Sequence, residues 1–225
     1  LDIRFEQAEA RFEGRTVVHP LTLSLSERRI GVIGLNGSGK TTFARMINGL
    51  VLPAAGKVTV NGFDTGKDGD KVRGQAGFIF QNPQNQIILP ILKEDIALGL
   101  KSRKLSKAET EAAVEAVLAR FGIAHLGERR AHELSGGELQ LAALASVLVT
   151  RPDILIMDEP TNQLDLRNHS LVERTIHSLD ENIIVISHDL SLIADFDRVL
   201  FFHEGRLAHD GPPAEVIARY RELAA

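Results

Sequence analysis

Cysteine is absent from this 225-residue chain. That removes disulfides, zinc–thiolate sites and thiol nucleophiles, and it suits a reducing compartment. No basic tract stands out either. Lys and Arg number 26 against 30 Asp and Glu, for a net charge of −4, so non-specific binding to nucleic acid has no electrostatic footprint. No apolar run reaches the roughly 18–20 residues that span a bilayer, and the N-terminus shows no signal-peptide pattern. The chain is expected to be soluble by itself and to reach a membrane only through a partner. Internal repeats and low-complexity tracts are missing too. What remains is a 44% hydrophobic sequence, enough for one large domain or a core with a smaller subdomain.

Residues 34–41 read Gly-Leu-Asn-Gly-Ser-Gly-Lys-Thr, a complete G-x-x-x-x-G-K-[ST] phosphate loop. Its glycines let successive backbone N–H groups turn toward phosphates. Lys40 is placed to reach the β and γ phosphates, and Thr41 to ligate Mg²⁺. The expected nucleotide-binding set here is Gly34, Leu35, Asn36, Gly37, Ser38, Gly39, Lys40, Thr41 and Thr42. Ile30–Ile33 reads as a buried strand leading in, and Thr41–Asn48 as a helix leading out. That strand–loop–helix context is what the motif requires, and the helix N-terminus adds a dipole that favours anions.

Elsewhere, Ile3 and Phe5, then Leu21, Leu23 and Leu25, alternate with polar residues, the pattern of half-buried antiparallel strands. Val58–Val60 before Asn61-Gly62 reads as a strand and turn, and Gly77–Phe80 as a buried strand. Residues 106–120 carry Ala108, Ala112, Val114, Val117 and Leu118 at helical spacing behind Ser106, a candidate N-cap. Residues 135–149 are also expected to be helical. From Ile154 onward strands alternate with helices, expected near 167–178 and 190–196. This alternation implies a parallel sheet covered by helices. The expected organisation is a single domain, with an α/β ATP-binding core over residues 1–81 and 151–225 and a helical insertion over about 82–150.

Ile154–Glu159 is an apolar strand ending in two carboxylates. A buried strand has no use for adjacent acids at its C-terminal end, but a site at that edge does. Asp158 is the candidate Mg²⁺ holder and Glu159 the candidate base that polarises the attacking water. Neighbours on a strand point opposite ways, so the two acids can serve different partners.

The order phosphate loop, Gln81, Leu134-Ser135-Gly136-Gly137, Asp158-Glu159, Leu164-Asp165, His188 resembles the nucleotide-binding domain of ABC transporters over nearly the whole chain. The fold implied is a phosphate-loop NTPase core, α/β with a mixed sheet and an antiparallel β-subdomain, carrying a helical ABC-type insertion. The resemblance implies ATP and Mg²⁺ as ligands and ATP hydrolysis as the activity. By it, Phe12 stacks on adenine, Gln81 touches Mg²⁺ or the lytic water and signals nucleotide state, and His188 contacts the γ-phosphate. Ser135, Gly136 and Gly137 complete the site of the opposite subunit in a head-to-tail dimer, and Asp165 lies in the loop that crosses its interface. The other seven histidines pair at no metal-ligand spacing.

Two departures narrow the subfamily. Glu138 and Leu141 stand where the family usually has Gln and Arg. Gln81–Ile87, with its Q-x-x-x-Q segment, resembles the extended glutamine loop of energy-coupling-factor (ECF) importers, and the Glu-Leu-Gln-Leu continuation resembles the biotin-transporting members. This implies a homodimer or heterodimer of ATPase subunits at the cytoplasmic face of the membrane. A transmembrane coupling subunit docks near Asn82–Pro90, on exposed Ile87, Ile88 and Leu89, and a separate membrane subunit binds the cargo. Biotin is the first expectation, then cobalt or nickel, then another vitamin. A soluble ABC ATPase acting on DNA or ribosomes is the other class. It is disfavoured because the segment between the phosphate loop and Leu134 is too short for a long coiled coil, and because one such domain is present.

Overall fold

A period of two in apolar residues builds an antiparallel sheet near the N-terminus. In the computed structural model, which describes residues 1–224, β1 (Ile3–Phe12) pairs antiparallel with β2 (Arg15–Leu25), setting Ile3 opposite Leu25 and Phe5 opposite Leu23. All four side chains are buried. On its other edge β1 pairs with β4 (Ala55–Val60), which turns through Asn61-Gly62 into β5 (Phe63–Asp64). Both turn residues have positive φ, as a two-residue hairpin that follows the strand twist demands.

The second sheet has the order β10 (Arg206–Gly211), β9 (Arg198–His203), β3 (Arg29–Ile33), β8 (Asn182–Ile186), β7 (Ile154–Asp158), β6 (Ala76–Ile79). β3, β7, β8 and β9 are parallel to one another, and β10 returns antiparallel to β9. Every residue of β7 is buried, as are Ile30–Ile33. Such unbroken apolar runs mark strands covered on both faces, each large side chain contributing about 1.5–3 kcal/mol on burial. Helix α1 (Lys40–Ile47) follows β3. Its Phe43 lies 4.9 Å from the Phe5 ring of the first sheet and 4.8 Å from the Phe202 ring of the second. One aromatic therefore anchors the phosphate-loop helix to both sheets.

Contacts divide the chain into two units. The first holds residues 1–78, 153–159 and 181 onward; the second holds 79–152 and 160–180. Besides α1 and α2 (Gly69–Gln75), the first carries α7 (Pro213–Ala224). The second contains α3 (Leu92–Leu98), α4 (Lys107–Arg120), α5 (Gly136–Leu148) and α6 (Leu166–His177). A capping box starts α4: Glu109 N–H donates to Ser106 Oγ at 3.3 Å, and Ser106 N–H to Glu109 Oε2 at 2.8 Å. The helix buries Val114, Val117 and Leu118 but leaves Ala108 and Ala112 exposed, because only the larger side chains reward burial strongly. Helix α5 is buried without interruption from Leu139 to Ala145, so it forms the centre of this unit.

The helix expected near 190–196 is not formed; the segment is a series of turns. Its start is diverted by local side-chain bonds. Ser191 N–H donates to Asp189 Oδ1 at 2.9 Å, and Asp189 N–H to Ser187 Oγ at 2.9 Å. Such Ser and Asp contacts compete with helical bonding, while Leu192, Ile193 and Phe196 are buried all the same.

Candidate functional site

The loop between β3 and α1 is shaped by glycine where no other residue fits. At Gly34, φ is +150° and an added Cβ would lie 2.1 Å from the Phe202 carbonyl oxygen. Gly39 has φ +95° and its carbonyl accepts the Phe43 N–H at 2.8 Å, opening α1. Lys40 is buried, and its Nζ donates to Gly34 O at 2.7 Å and Leu35 O at 2.9 Å. Burial pushes its pKa down, opposed by the charges of Glu159 and Asp158. Ser38 Oγ is buried with no hydrogen-bond partner. An unsatisfied hydroxyl, a desolvated ammonium resting on two neutral carbonyls and a helix N-terminus together fit the phosphates of a nucleotide. Thr42 is half-buried beside them, while Leu35, Asn36 and Gly37 face solvent. Phe12, at the end of β1, is 47% exposed, so its ring is free to be covered by a flat ligand.

The two acids sit at the C-terminal edge of the same sheet. Asp158 ends β7, and Thr41 Oγ1 donates to its Oδ1 at 3.2 Å. This adjoining hydroxyl–carboxylate pair suits Mg²⁺, which takes one or two carboxylates and completes its shell with phosphate and water. Among the described residues no group of three His, Cys, Asp or Glu could hold a metal without such help. Glu159 does not alternate with Asp158 along a strand as expected. The strand stops at Asp158, and Glu159 turns left-handed with φ +51°, a conformation that non-glycine residues adopt at a cost. Its N–H still bonds to Ile186 O at 2.9 Å. The two acids nonetheless face different partners. Glu159 Oε2 accepts the His188 main-chain N–H at 3.1 Å, whereas Oε1 is buried and makes no hydrogen bond. His188 Nε2 is 3.2 Å from that oxygen, but its hydrogen bond, at 3.0 Å, is to Asn36 Oδ1.

Burial raises the pKa of both Asp158 and Glu159. A carboxyl whose folded pKa lies above its unfolded value binds more protons when folded. Stability therefore falls as pH rises through the interval between the two values, and the loss persists at neutral pH. In the nucleotide-free protein Asp158→Asn is expected to raise the melting temperature at pH 7 by on the order of 3 °C, the effect of ~1 kcal/mol in a chain of this size. Melting scans at pH 7 and at about pH 2.5, more than one unit below the ordinary Asp value of about 3.9 so that the acid is protonated in both states, should show the gain at the first pH and its loss at the second.

The remaining sequence-predicted residues lie in the second unit. Gln81 is exposed just beyond β6. Ser135 caps α5: its N–H donates to Glu138 Oε2 at 2.8 Å, and its Oγ accepts the Glu138 N–H at 3.4 Å. Those bonds hold the Glu138 carboxyl below its ordinary pKa. The acid thus completes a capping box around the serine. Gly136 is exposed, but Gly137 is buried, and a Cβ there would lie 2.3 Å from Asn168 Oδ1. Asn168 in turn bonds Asp165, through its N–H to Oδ1 at 2.8 Å and its Nδ2 to Oδ2 at 3.1 Å. Sequence reading missed Asn168. Its only signal was its place three residues after an Asp N-cap.

The ABC transporter family model matches residues 18–162. The chain belongs to the ABC transporter family. This ABC-type ATPase is 67% identical over 225 residues, the full length of both, to the biotin transport ATP-binding protein BioM of Rhizobium etli. It is 38% identical over 201 residues to the energy-coupling factor transporter ATP-binding protein EcfA1 of Halalkalibacterium halodurans, covering 87% of this chain and 72% of that one. Among solved structures it resembles cbiO1 of Clostridium perfringens, described as part of the ABC transporter complex cbiONQ, with TM-score 0.85, 29% identity, and coverage of 99% of this chain and 92% of that chain. The α/β phosphate-loop fold expected from the motifs is the fold observed.

Proposed function

We propose that this ABC ATPase is the energising subunit of an ECF-type importer for biotin. The chemistry rests on one observation: the phosphate loop, the Thr41–Asp158 pair and the unpaired Glu159 oxygen beside His188 are parts of one unit at one sheet edge. Lys40, with the loop amides of Gly34 to Thr42, binds the triphosphate of ATP, and Phe12 carries the adenine. Thr41, Asp158 and Gln81 hold Mg²⁺. Glu159 orients the attacking water, and His188 reaches the γ-phosphate. Ser135, Gly136, Gly137 and Asp165 act across the interface of an ATPase dimer. The cargo assignment rests on the full-length identity to BioM. No described helix is long and apolar enough to cross a membrane, so transport requires membrane subunits, with this chain peripheral at the cytoplasmic face.

Residues 82–90 are the proposed contact with the coupling subunit. None of Ile87, Ile88 and Leu89 is buried, although Ile88 alone is open, at 75% exposure, and its neighbours are half-buried. The segment is held in place, since Ile88 and Leu89 N–H both donate to Asp95 Oδ1, at 2.7 and 2.8 Å. Within it lies one turn of 3₁₀ helix, Pro83–Asn85, capped by Asn82. Ile88→Glu is therefore expected to abolish transport while leaving the ATPase rate of the isolated subunit within about twofold, because surface changes away from buried features cost little. The deciving measurement for cargo is radiolabelled uptake in cells co-expressing the membrane partners. Biotin accumulation that needs Lys40 supports the proposal; accumulation of cobalt or nickel instead overturns the cargo assignment.

A further inference from the structure

Asn36 occupies one of the unspecified positions of the phosphate-loop motif, where the pattern G-x-x-x-x-G-K-[ST] asks nothing of the side chain. Its carboxamide is nevertheless engaged. Asn36 Oδ1 lies 3.0 Å from His188 Nε2, joining residues 152 apart in sequence. The same ring nitrogen is 3.2 Å from Glu159 Oε1, which accepts no hydrogen bond. Nε2 therefore has two oxygens within reach, and only the neutral one meets it in hydrogen-bond geometry. From this geometry we infer that Asn36 is a positioning residue: it fixes His188 as the Nε2–H tautomer and keeps that proton off the Glu159 carboxylate.

A carbonyl oxygen can only accept, so the imidazole nitrogen facing it must carry the proton. That tautomer can donate to an anionic phosphate oxygen; the other presents a lone pair to it. Burial and the Lys40 charge hold the His188 pKa below its ordinary value, so the ring is neutral near pH 7 and its tautomer is a real choice. Glu159 gains as well. Its Oε2 is already taken by the His188 main-chain N–H at 3.1 Å. Were Oε1 also bonded to the ring, neither oxygen would remain free for water. Asn36 thus sets two conditions at once, a donor ready for phosphate and an acceptor left open. Without Asn36, the ring shifts by the 0.2 Å or so that separates the two contacts and bonds Glu159, or it exchanges tautomers; the first closes the Glu159 acceptor and both spoil the His188 donor, so hydrolysis slows while the loop's own contacts to the nucleotide stay.

This inference rests on the hydrolytic reading of the site, and its test separates the two. Imidazole ¹⁵N shifts of His188 are recorded on the nucleotide-free full chain, in the wild type, Asn36→Ala and Asn36→Asp. The wild type should show a protonated Nε2 and a bare Nδ1. Asn36→Ala should lose that fixed pattern, and Asn36→Asp, which keeps an acceptor oxygen, should restore it. In turnover, Asn36→Ala should lower kcat by about tenfold, the size of one well-placed hydrogen bond, with the affinity for ATP within about twofold. An unchanged His188 spectrum in Asn36→Ala overturns the inference. So does a weakened affinity for ATP with kcat intact, which would make the Asn36 side chain, and not only its main-chain amide, a nucleotide contact. A wild-type chain that hydrolyses no ATP refutes the hydrolytic reading alone, because the spectra still decide whether Asn36 sets the tautomer.

Discussion

Glu159→Gln is expected to keep ATP binding and to lose turnover by about 10²–10⁴-fold, the usual cost of removing a general base. The carboxylate has one oxygen tied to the His188 main chain and the other buried and unbonded. On the proposed function that oxygen takes a proton from the attacking water, and burial raises the carboxyl's pKa, which strengthens it as a base. Glutamine preserves the accepting oxygen for His188 N–H but cannot take a proton. Phosphate release and nucleotide binding measured on the same preparation check the split. A variant releasing phosphate at a near wild-type rate would remove Glu159 from the role of base. A variant that no longer binds ATP would show that the carboxylate holds the loop together instead.

Subunit mixing should give the second large effect. If Ser135 completes the site of a partner, neither Lys40→Ala nor Ser135→Arg homodimers should hydrolyse ATP appreciably. Losing Lys40 removes the buried ammonium that the proposed function sets against phosphate, and Arg at position 135 destroys the capping box that fixes the α5 N-terminus. A mixed dimer combines both faults in one site and leaves the other intact. The 1:1 mixture is therefore expected to recover a substantial fraction of wild-type activity, on the order of a tenth or more, from homodimers depressed by several hundredfold. Recovery on mixing, read by phosphate release, supports the composite site. Absence of recovery, together with crosslinking of Ser135 to Lys40 of the same chain, would refute it.

The legible parts of this molecule were those where local chemistry leaves one solution. Ser106 read as an N-cap, and α4 starts there, with Glu109 completing a capping box. Asn61-Gly62 demanded positive φ, and the hairpin turns there. The failures came where tertiary packing competes with local preference. Residues 190–196 have apolar residues at helical spacing, yet Ser187, Asp189 and Ser191 bond to the backbone and to one another, and the segment stays as turns. Leu89 and Ile87 looked as open as Ile88, but the Asp95 carboxylate draws that stretch of backbone inward.

The sequence alone determined most of the strands, the phosphate-loop motif and the identity of the charged groups, because periodicity, glycine spacing and the order of motifs are properties of the chain itself. Only the tertiary structure decided how those groups pair. Whether His188 turns to Asn36 or to Glu159, which Glu159 oxygen stays unbonded, and why Gly137 must lack a side chain all depend on distances between residues far apart in sequence. A hydrogen bond is settled by a few tenths of an ångström and by direction, and neither is encoded in residue type or spacing.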